Sequence, residues 1–195
     1  MACAGGNFIG FIDRTLRRNC RPGGEPAVQE QMYDGHNCAH SLAWQSVVFA
    51  DGMIEIWGPE MGWRPDSLLL SRSGLNGRLA ALQAGNPVQY KVYGDAAYPI
   101  CSHVDRGFRG ANLTDAQKAY NRELSNVRVS VEYQFGKIVA MFPFIDLNLK
   151  IRLQPVAKYF AIAVLLTNAH TCLFGSITGD YFDMQSPALE AYFTF

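Results

Sequence analysis

The chain opens on a short apolar run, Asn7 to Ile12 (NFIGFI), which stops at Asp13 and turns basic at Arg14, Arg17, Arg18 and Arg21. That pattern predicts a strand, and Pro22-Gly23-Gly24 with Pro26 predicts a loop after it. Ala43 to Ala50 and Met53 to Gly58 are strand-like and flank Asp51-Gly52. An Asp-Gly pair between two such runs predicts a hairpin whose two turn residues both have φ > 0. Asp66 to Leu82 follows a turn-rich Pro59 to Pro65 and reads as one or two helical segments, interrupted around Gly74 and Gly77. Val88 to Tyr93 is a further strand, closed by Gly94-Asp95, and Cys101 to Ala111 reads as loop. Thr114 is placed to cap a helix that runs to about Met141, with Val131, Phe135, Ile138 and Phe142 on one apolar stripe. Pro155 to Phe174 forms a last helix, apolar over most of its surface and therefore expected to be buried. From Thr178 the tail has turn-type and aromatic residues without clear periodicity. Strands first and helices late predict an α/β fold, a mixed β-sheet flanked by α-helices.

Composition narrows the class without naming a function. The 195 residues suit one domain, and 49% apolar with 17% charged residues excludes intrinsic disorder. The longest uninterrupted apolar run, Tyr159 to Leu166, falls well short of the roughly 20 residues of a membrane helix, so no membrane partner is expected. The N-terminus lacks a basic start followed by an apolar stretch, so no signal peptide is expected either. Five cysteines form no CxxC pair, which suggests neither a disulfide framework nor a zinc knuckle and fits a reducing compartment. Seventeen basic residues balance seventeen acidic ones, but residues 61–137 hold ten Lys/Arg against six Asp/Glu. The overall charge decides nothing about partners.

Carboxylates in apolar settings carry the chemistry. Asp13 follows one apolar strand, Asp95 follows another, and Glu132 lies in the largely apolar stretch Val127 to Phe135. A charge in such a place is costly unless compensated, and a divalent cation held by oxygen ligands is one compensator. Asp66, opening a helix after Gly62-Trp63-Arg64-Pro65, is a fourth candidate. Each has a structural alternative. Strand-end Asp residues begin turns, Asp66 has the position of an N-cap, and Glu132 can pair with Arg128 one turn earlier.

Taken together, four segments resemble the Harbinger (PIF-type) DDE transposase superfamily. They are Gly10-Phe11-Ile12-Asp13, Tyr33-Asp34-Gly35-His36, Gly94-Asp95-Ala96-Ala97-Tyr98-Pro99, and Arg128 through Gly136 (RVSVEYQFG). Phe108 to Thr114 and Leu166 to Thr171 resemble fungal-type members in particular. The resemblance runs from about Asn7 to Phe182, with residues 1–6 as an N-terminal extension and 183–195 as a C-terminal tail. It implies an RNase H-like core that cuts DNA with two Mg²⁺ or Mn²⁺ ions. Asp13, Asp95 and Glu132 correspond to the catalytic, metal-holding carboxylates, and Asp66 to a further metal ligand. Two ions about 3.5–4 Å apart stabilise both the attacking and the leaving oxygen of a phosphodiester, and several carboxylates must converge to hold them.

The basic residues then acquire a reading. Arg14, Arg17, Arg109 and Arg128 are candidate phosphate contacts, with a solvated charged face as the alternative for each. Arg128 shares a helix face with Glu132 and is placed to orient it. His36, His40, His103 and His170 show no metal-ligand spacing, and Trp44, Trp57 and Trp63 read as packing rather than base-stacking residues. Asp13 lies twelve residues from the start, leaving no room for the helix-turn-helix region that precedes this core in the family. The resemblance therefore implies a Myb-like accessory protein for DNA binding, with an oligomer allowed and the nucleus, or else the cytoplasm, as location. Arg14 and Pro65 replace residues common in the family, Gly and His respectively. The alternative reading is a module that kept the fold and lost the activity, binding DNA or protein.

Overall fold

The computed structural model describes residues 7–145 and 153–194. Six strands, β1 (Phe8–Arg18), β2 (Tyr33–Asp34), β3 (Ala39–Phe49), β4 (Ile54–Met61), β5 (Lys91–Gly94) and β6 (Val104–Arg106), build one mixed sheet. Its order is β2-β3-β1-β5-β6, with β4 also on β3. β1 lies antiparallel to β3 and parallel to β5, and β5 is parallel to β6. Seven helices accompany it among the described residues: α1 (Pro26–Met32), α2 (Asp66–Ser73), α3 (Leu75–Gln83), α4 (Asp115–Met141), α5 (Leu153–Phe174), α6 (Ile177–Phe182) and α7 (Leu189–Phe193). The mixed α/β architecture expected from the sequence is the one observed.

Neighbouring residues on each strand point to opposite faces of the sheet, and both faces are covered. Phe11, Val48 and Tyr93 join Leu124 and Ile138 of α4 and Val156 and Phe160 of α5 in one buried cluster. Ile12, Val47 and Val92 join Leu70 of α2, Leu75 and Leu79 of α3, and Tyr98 in the other. From Gly10 onward, past the register shift at the start of β1, odd-numbered positions therefore face α4 and α5, and even-numbered positions face α2.

Several elements differ from the sequence pattern. β1 continues to Arg18, because β3 pairs with it through Arg18↔Ser41; Asp13 is a mid-strand residue rather than one that ends a strand. The hairpin between β3 and β4 forms at Asp51-Gly52, but of the two only Gly52 has positive φ (84°). Phe49 accepts from the Gly52 N–H and donates to the Met53 carbonyl, a three-residue loop with Gly52 at the left-handed position. The Pro22–Pro26 region leads into α1, since Pro26 sits at the first helical position where its missing N–H costs nothing. β5 begins at Lys91, three residues later than the pattern suggested, and the segment read as loop contains β6.

Thr114 caps α4 as expected. Its hydroxyl accepts from the Gln117 N–H while the Gln117 side chain accepts from the Thr114 N–H. Ile138 is fully buried and Phe135 and Phe142 pack against the same cluster; the Val131 side chain lies outside the described residues, as do residues 1–6. α5 is buried on one face only. Phe160, Val164, Thr167, Asn168 and Thr171 are interior, whereas Ile162, Leu166 and Leu173 are exposed. Among the described residues α5 is the one helix long and apolar enough to cross a membrane, a length the uninterrupted-run criterion did not register. Its polar interior face is that of a core helix: Asn168 donates to the Ile54 carbonyl (2.7 Å) and accepts the Ile54 N–H (3.0 Å), finishing β4. The tail holds α6 and α7, and Tyr192 of α7 reaches Asn168 at 3.1 Å.

Candidate active site

β5 stops at Gly94, opposite Ile12, while β1 continues for six residues paired with β3. The carboxyl end of a parallel strand is the usual place for a site in an open α/β sheet. Asp13 and Asp95 are the residues that immediately follow the Ile12↔Gly94 pair, so the ladder itself sets them side by side. Gly94 permits the close approach: a Cβ there would lie 2.9 Å from both Ile12 Cγ2 and Tyr98 Cδ2. Asp95 opens a turn in which its Oδ1 accepts the Ala97 N–H (2.8 Å) and its carbonyl accepts the Tyr98 N–H (3.3 Å). Arg106 of β6 holds that turn, donating to the carbonyls of Ala96 and Tyr98 at 2.9 Å each.

Asp66 enters from the other layer. Pro65 occupies the N-cap and Asp66 is the first residue of α2, so the capping alternative does not hold. Its Oδ1 makes no hydrogen bond and lies 3.6 Å from Arg14 Nη1. Arg14, on the α2-facing side of β1, also lies 3.8 Å from Asp34 and donates to the Gly62 carbonyl.

Glu132 projects from α4 on the opposite side and is 59% exposed. Arg128, one turn earlier, sits between it and Asp13, with 3.1 Å to Asp13 Oδ2 and 3.5 Å to Glu132 Oε1. Arginines thus provide the charge compensation that a cation was expected to supply. Among the described residues, no three Asp, Glu, His or Cys side chains form a group arranged to hold a metal ion.

Burial outweighs these partners in the electrostatics of Asp13 and Asp66. Burial raises the Asp13 carboxyl to about 6; the Arg14 N–H (2.8 Å) and Arg128 oppose the rise, and the charges of Asp95 and Asp66 add to it. Burial also raises Asp66, with Arg14 opposing and Asp95 adding. Three aspartates from β1, α2 and the turn after β5 therefore feel one another. An all-oxygen set with a buried, unbonded Asp66 oxygen suits a hard divalent cation in its donor chemistry.

The four candidate arginines have separate fates. Arg14 pairs with Asp66 and Arg128 with Asp13, and Arg109 is exposed on the loop after β6. Arg17 is 6% exposed, because it lies on the α5-facing side of β1 with its guanidinium 4.8 Å from the Phe160 ring centre. That position fills the core and offers no surface to a phosphate. Trp44 is buried against Phe160, as a packing role requires, but Trp63 is half exposed.

Residue types alone did not single out Asp34 or Tyr98, and they gave Arg106 no role in shaping the Asp95 turn. Asp34 is buried and anchors Arg14; Arg106 fixes the Asp95 turn; Tyr98 is fully buried in the cluster of Ile12, Leu70 and Val92. The segments holding Asp34 and Tyr98 were visible as motifs, which was the available signal. A cavity of about 490 Å³ lies elsewhere along α4, lined by Tyr133, Lys137, Phe174 and Tyr181, and includes none of the four carboxylates.

A family model described as DDE superfamily endonuclease matches residues 13–168. The chain belongs to this family. No curated protein and no solved structure matches it significantly. The match begins at Asp13 itself and spans Asp66, Asp95 and Glu132, and the mixed sheet with flanking helices is consistent with the RNase H-like fold of DDE nucleases.

Proposed function

We propose that this DDE endonuclease is a Harbinger-type, divalent-metal-dependent DNA nuclease whose working groups are Asp13, Asp95 and Glu132, with Asp66 as a further ligand. The observation that supports the reading is the strand register that puts Asp13 and Asp95 directly after the Ile12↔Gly94 pair, with Asp66 ion-paired to Arg14, the residue next to Asp13. Mg²⁺ or Mn²⁺ would be held by these carboxylates, and the two-ion arrangement would stabilise the attacking and leaving oxygens of a phosphodiester. The chain's own contribution is placement: β1 and β5 set the two aspartates in register, and Arg106 fixes the Asp95 turn. Arg128 would exchange Asp13 and Glu132 for a DNA phosphate as cations arrive, and Arg109 would add a phosphate contact. Strand transfer by a 3′-hydroxyl, a Myb-like DNA-binding partner, assembly into an oligomer and action in the nucleus belong to the same reading.

The test is cleavage of duplex DNA with Mg²⁺ or Mn²⁺. Activity is expected in the parent and lost in Asp95→Asn and Glu132→Gln; equal cutting by these variants would remove the assignment. A second reading, a binding module without catalysis, draws on one observation: Arg14 and Arg128 already neutralise Asp66, Asp13 and Glu132. Titration of Mn²⁺ by calorimetry separates the two, since absence of binding in the parent favours the module.

A further inference from the structure

The cavity of about 490 Å³ along α4 is built by local sequence at the junction of α5 and α6. α5 ends at Gly175, whose φ of 75° suits glycine and whose N–H donates to the Thr171 carbonyl (2.8 Å). Ser176 then caps α6, its hydroxyl accepting the Gly179 N–H (2.9 Å). Gln134 of α4 and Thr178 of α6 are both buried, and the Gln134 amide donates to the Thr178 hydroxyl (3.0 Å). That bond ties α6 to α4 beside the cavity.

Three aromatic side chains wall it from three elements: Tyr133 of α4, Phe174 at the end of α5 and Tyr181 of α6. They are 70%, 73% and 68% exposed, so each has most of its surface still to bury. Two are held by neighbouring rings, Phe174 by His170 (centroids 4.7 Å apart) and Tyr181 by Phe182 (5.0 Å). A concave, mostly apolar space with few polar groups is the usual form of a small-ligand site. Lys137 is the one basic side chain on the lining. Its ammonium donates to Thr171 Oγ1 (3.2 Å), which uses one of its three N–H groups. Among the described residues no carboxylate lies at ion-pair distance from it, and Asp180, the acidic side chain on the lining, is exposed. Burial lowers the Lys137 ammonium from its ordinary value with no neighbouring charge to oppose the shift. A half-buried cation without a counter-charge favours an anion as its partner.

We propose that this cavity binds an aromatic anion, its ring against Tyr133, Phe174 and Tyr181 and its anionic group on Lys137. Aromatic walls favour a ring through offset or edge contacts, and the ammonium selects charge. A free aromatic acid and a nucleotide share this chemistry.

Calorimetric titration of the full chain in EDTA tests this independently of the proposed metal site. Naphthalenesulfonate should bind at a single site, and the neutral naphthalenemethanol about tenfold more weakly, as loss of a charge-assisted hydrogen bond predicts. Lys137→Met should erase that preference and leave naphthalenemethanol unchanged, while Lys137→Arg should keep it. Tyr133→Ala, at a side chain too exposed to be needed for folding, should weaken both probes. Absence of binding by the parent overturns the proposal, as does equal affinity for the charged and neutral probes, or a preference that survives Lys137→Met. Deoxyadenosine monophosphate against deoxyadenosine distinguishes the sources. Competition by the monophosphate for the naphthalenesulfonate site assigns the cavity to nucleotides, and naphthalenesulfonate binding without such competition assigns it to a free aromatic acid.

Discussion

Asp13 and Asp34 are both shielded carboxylates that face an arginine, and their surroundings push them in opposite directions. Burial acts to raise Asp34, but the Asn37 side chain (2.7 Å to Oδ2) and the N–H groups of Asn37 and His36 (3.4 and 3.0 Å to Oδ1) overcome it, and Arg14 adds to the lowering. Its net shift is downward. Asp13 receives one backbone N–H and one guanidinium, faces two further carboxylates, and is held up at about 6. A carboxylate surrounded by its own donors is a structural fixture. One left short of donors beside other carboxylates is ready for a cation, and this is the difference that perturbed values at functional sites express.

The comparison breaks most visibly in a cleavage assay. Asp13→Asn is expected to reduce metal-dependent cutting of DNA to background, whereas Asp34→Asn retains cutting in whatever fraction folds. Loss of activity in folded Asp34→Asn would show that the Arg14 anchor belongs to the catalytic machinery.

The two groups should also give opposite pH slopes of stability. Asp13 rises from an ordinary 3.8 to about 6 on folding, so between those values the folded state holds more protons than the unfolded state. Without divalent cation, the Asp13 contribution makes stability fall as pH increases from about 4 to 6, by on the order of 3 kcal/mol at most. Asp34 is lowered on folding, so its contribution is present above the ordinary carboxylate value and is lost as pH falls below it. Chemical denaturation across pH 3 to 7 measures both. Asp13→Asn should flatten the upper slope, and millimolar Mg²⁺ should flatten it in the parent; an unchanged slope in Asp13→Asn would assign it to another group.

Asn37→Ala sharpens the same contrast from the other side. It removes the shortest bond to Asp34 and leaves a buried carboxylate oxygen without that donor. A loss of about 1.5–3 kcal/mol is expected from denaturant unfolding, because hydrogen bonds to charged groups fall in that range. Mn²⁺ affinity should not change.

The sequence exposed one of these two carboxylates and concealed the other, for a physical reason. Asp13 interrupts an apolar run, so its cost was visible in the pattern. Asp34 sits in Tyr33-Asp34-Gly35-His36, polar surroundings in which a buried aspartate looks the same as a turn residue. Strands β3 and β4 and helices α2 to α5 were legible because their periods and breaks are local, at Gly52, Gly74 and Thr114. β6 was not, since three residues become a strand through pairing with β5, and the length of β1 was not, since β3 extends it. Arg17 shows the same limit. Its charge suggested DNA, and strand parity placed it against Phe160.

Thr114→Ala carries the smallest expected effect and asks how far the site depends on the stability of the helix that bears it. Arg128 and Glu132 both ride on α4, whereas the donors to Asp34 come from its own loop. Removing the Thr114 hydroxyl opens one half of the capping box and leaves the Gln117 N–H without its acceptor, at a cost of about 1 kcal/mol. Fraying is confined to the first turn, while Arg128 lies fourteen residues further on and is followed by Ile138, buried in the core. Melting temperature should therefore drop slightly, with Mn²⁺ affinity and cleavage rate per folded molecule unchanged. A parallel fall in affinity would mean that α4 moves as a rigid lever, and that Asp13 owes its state to the whole helix rather than to Arg128 alone.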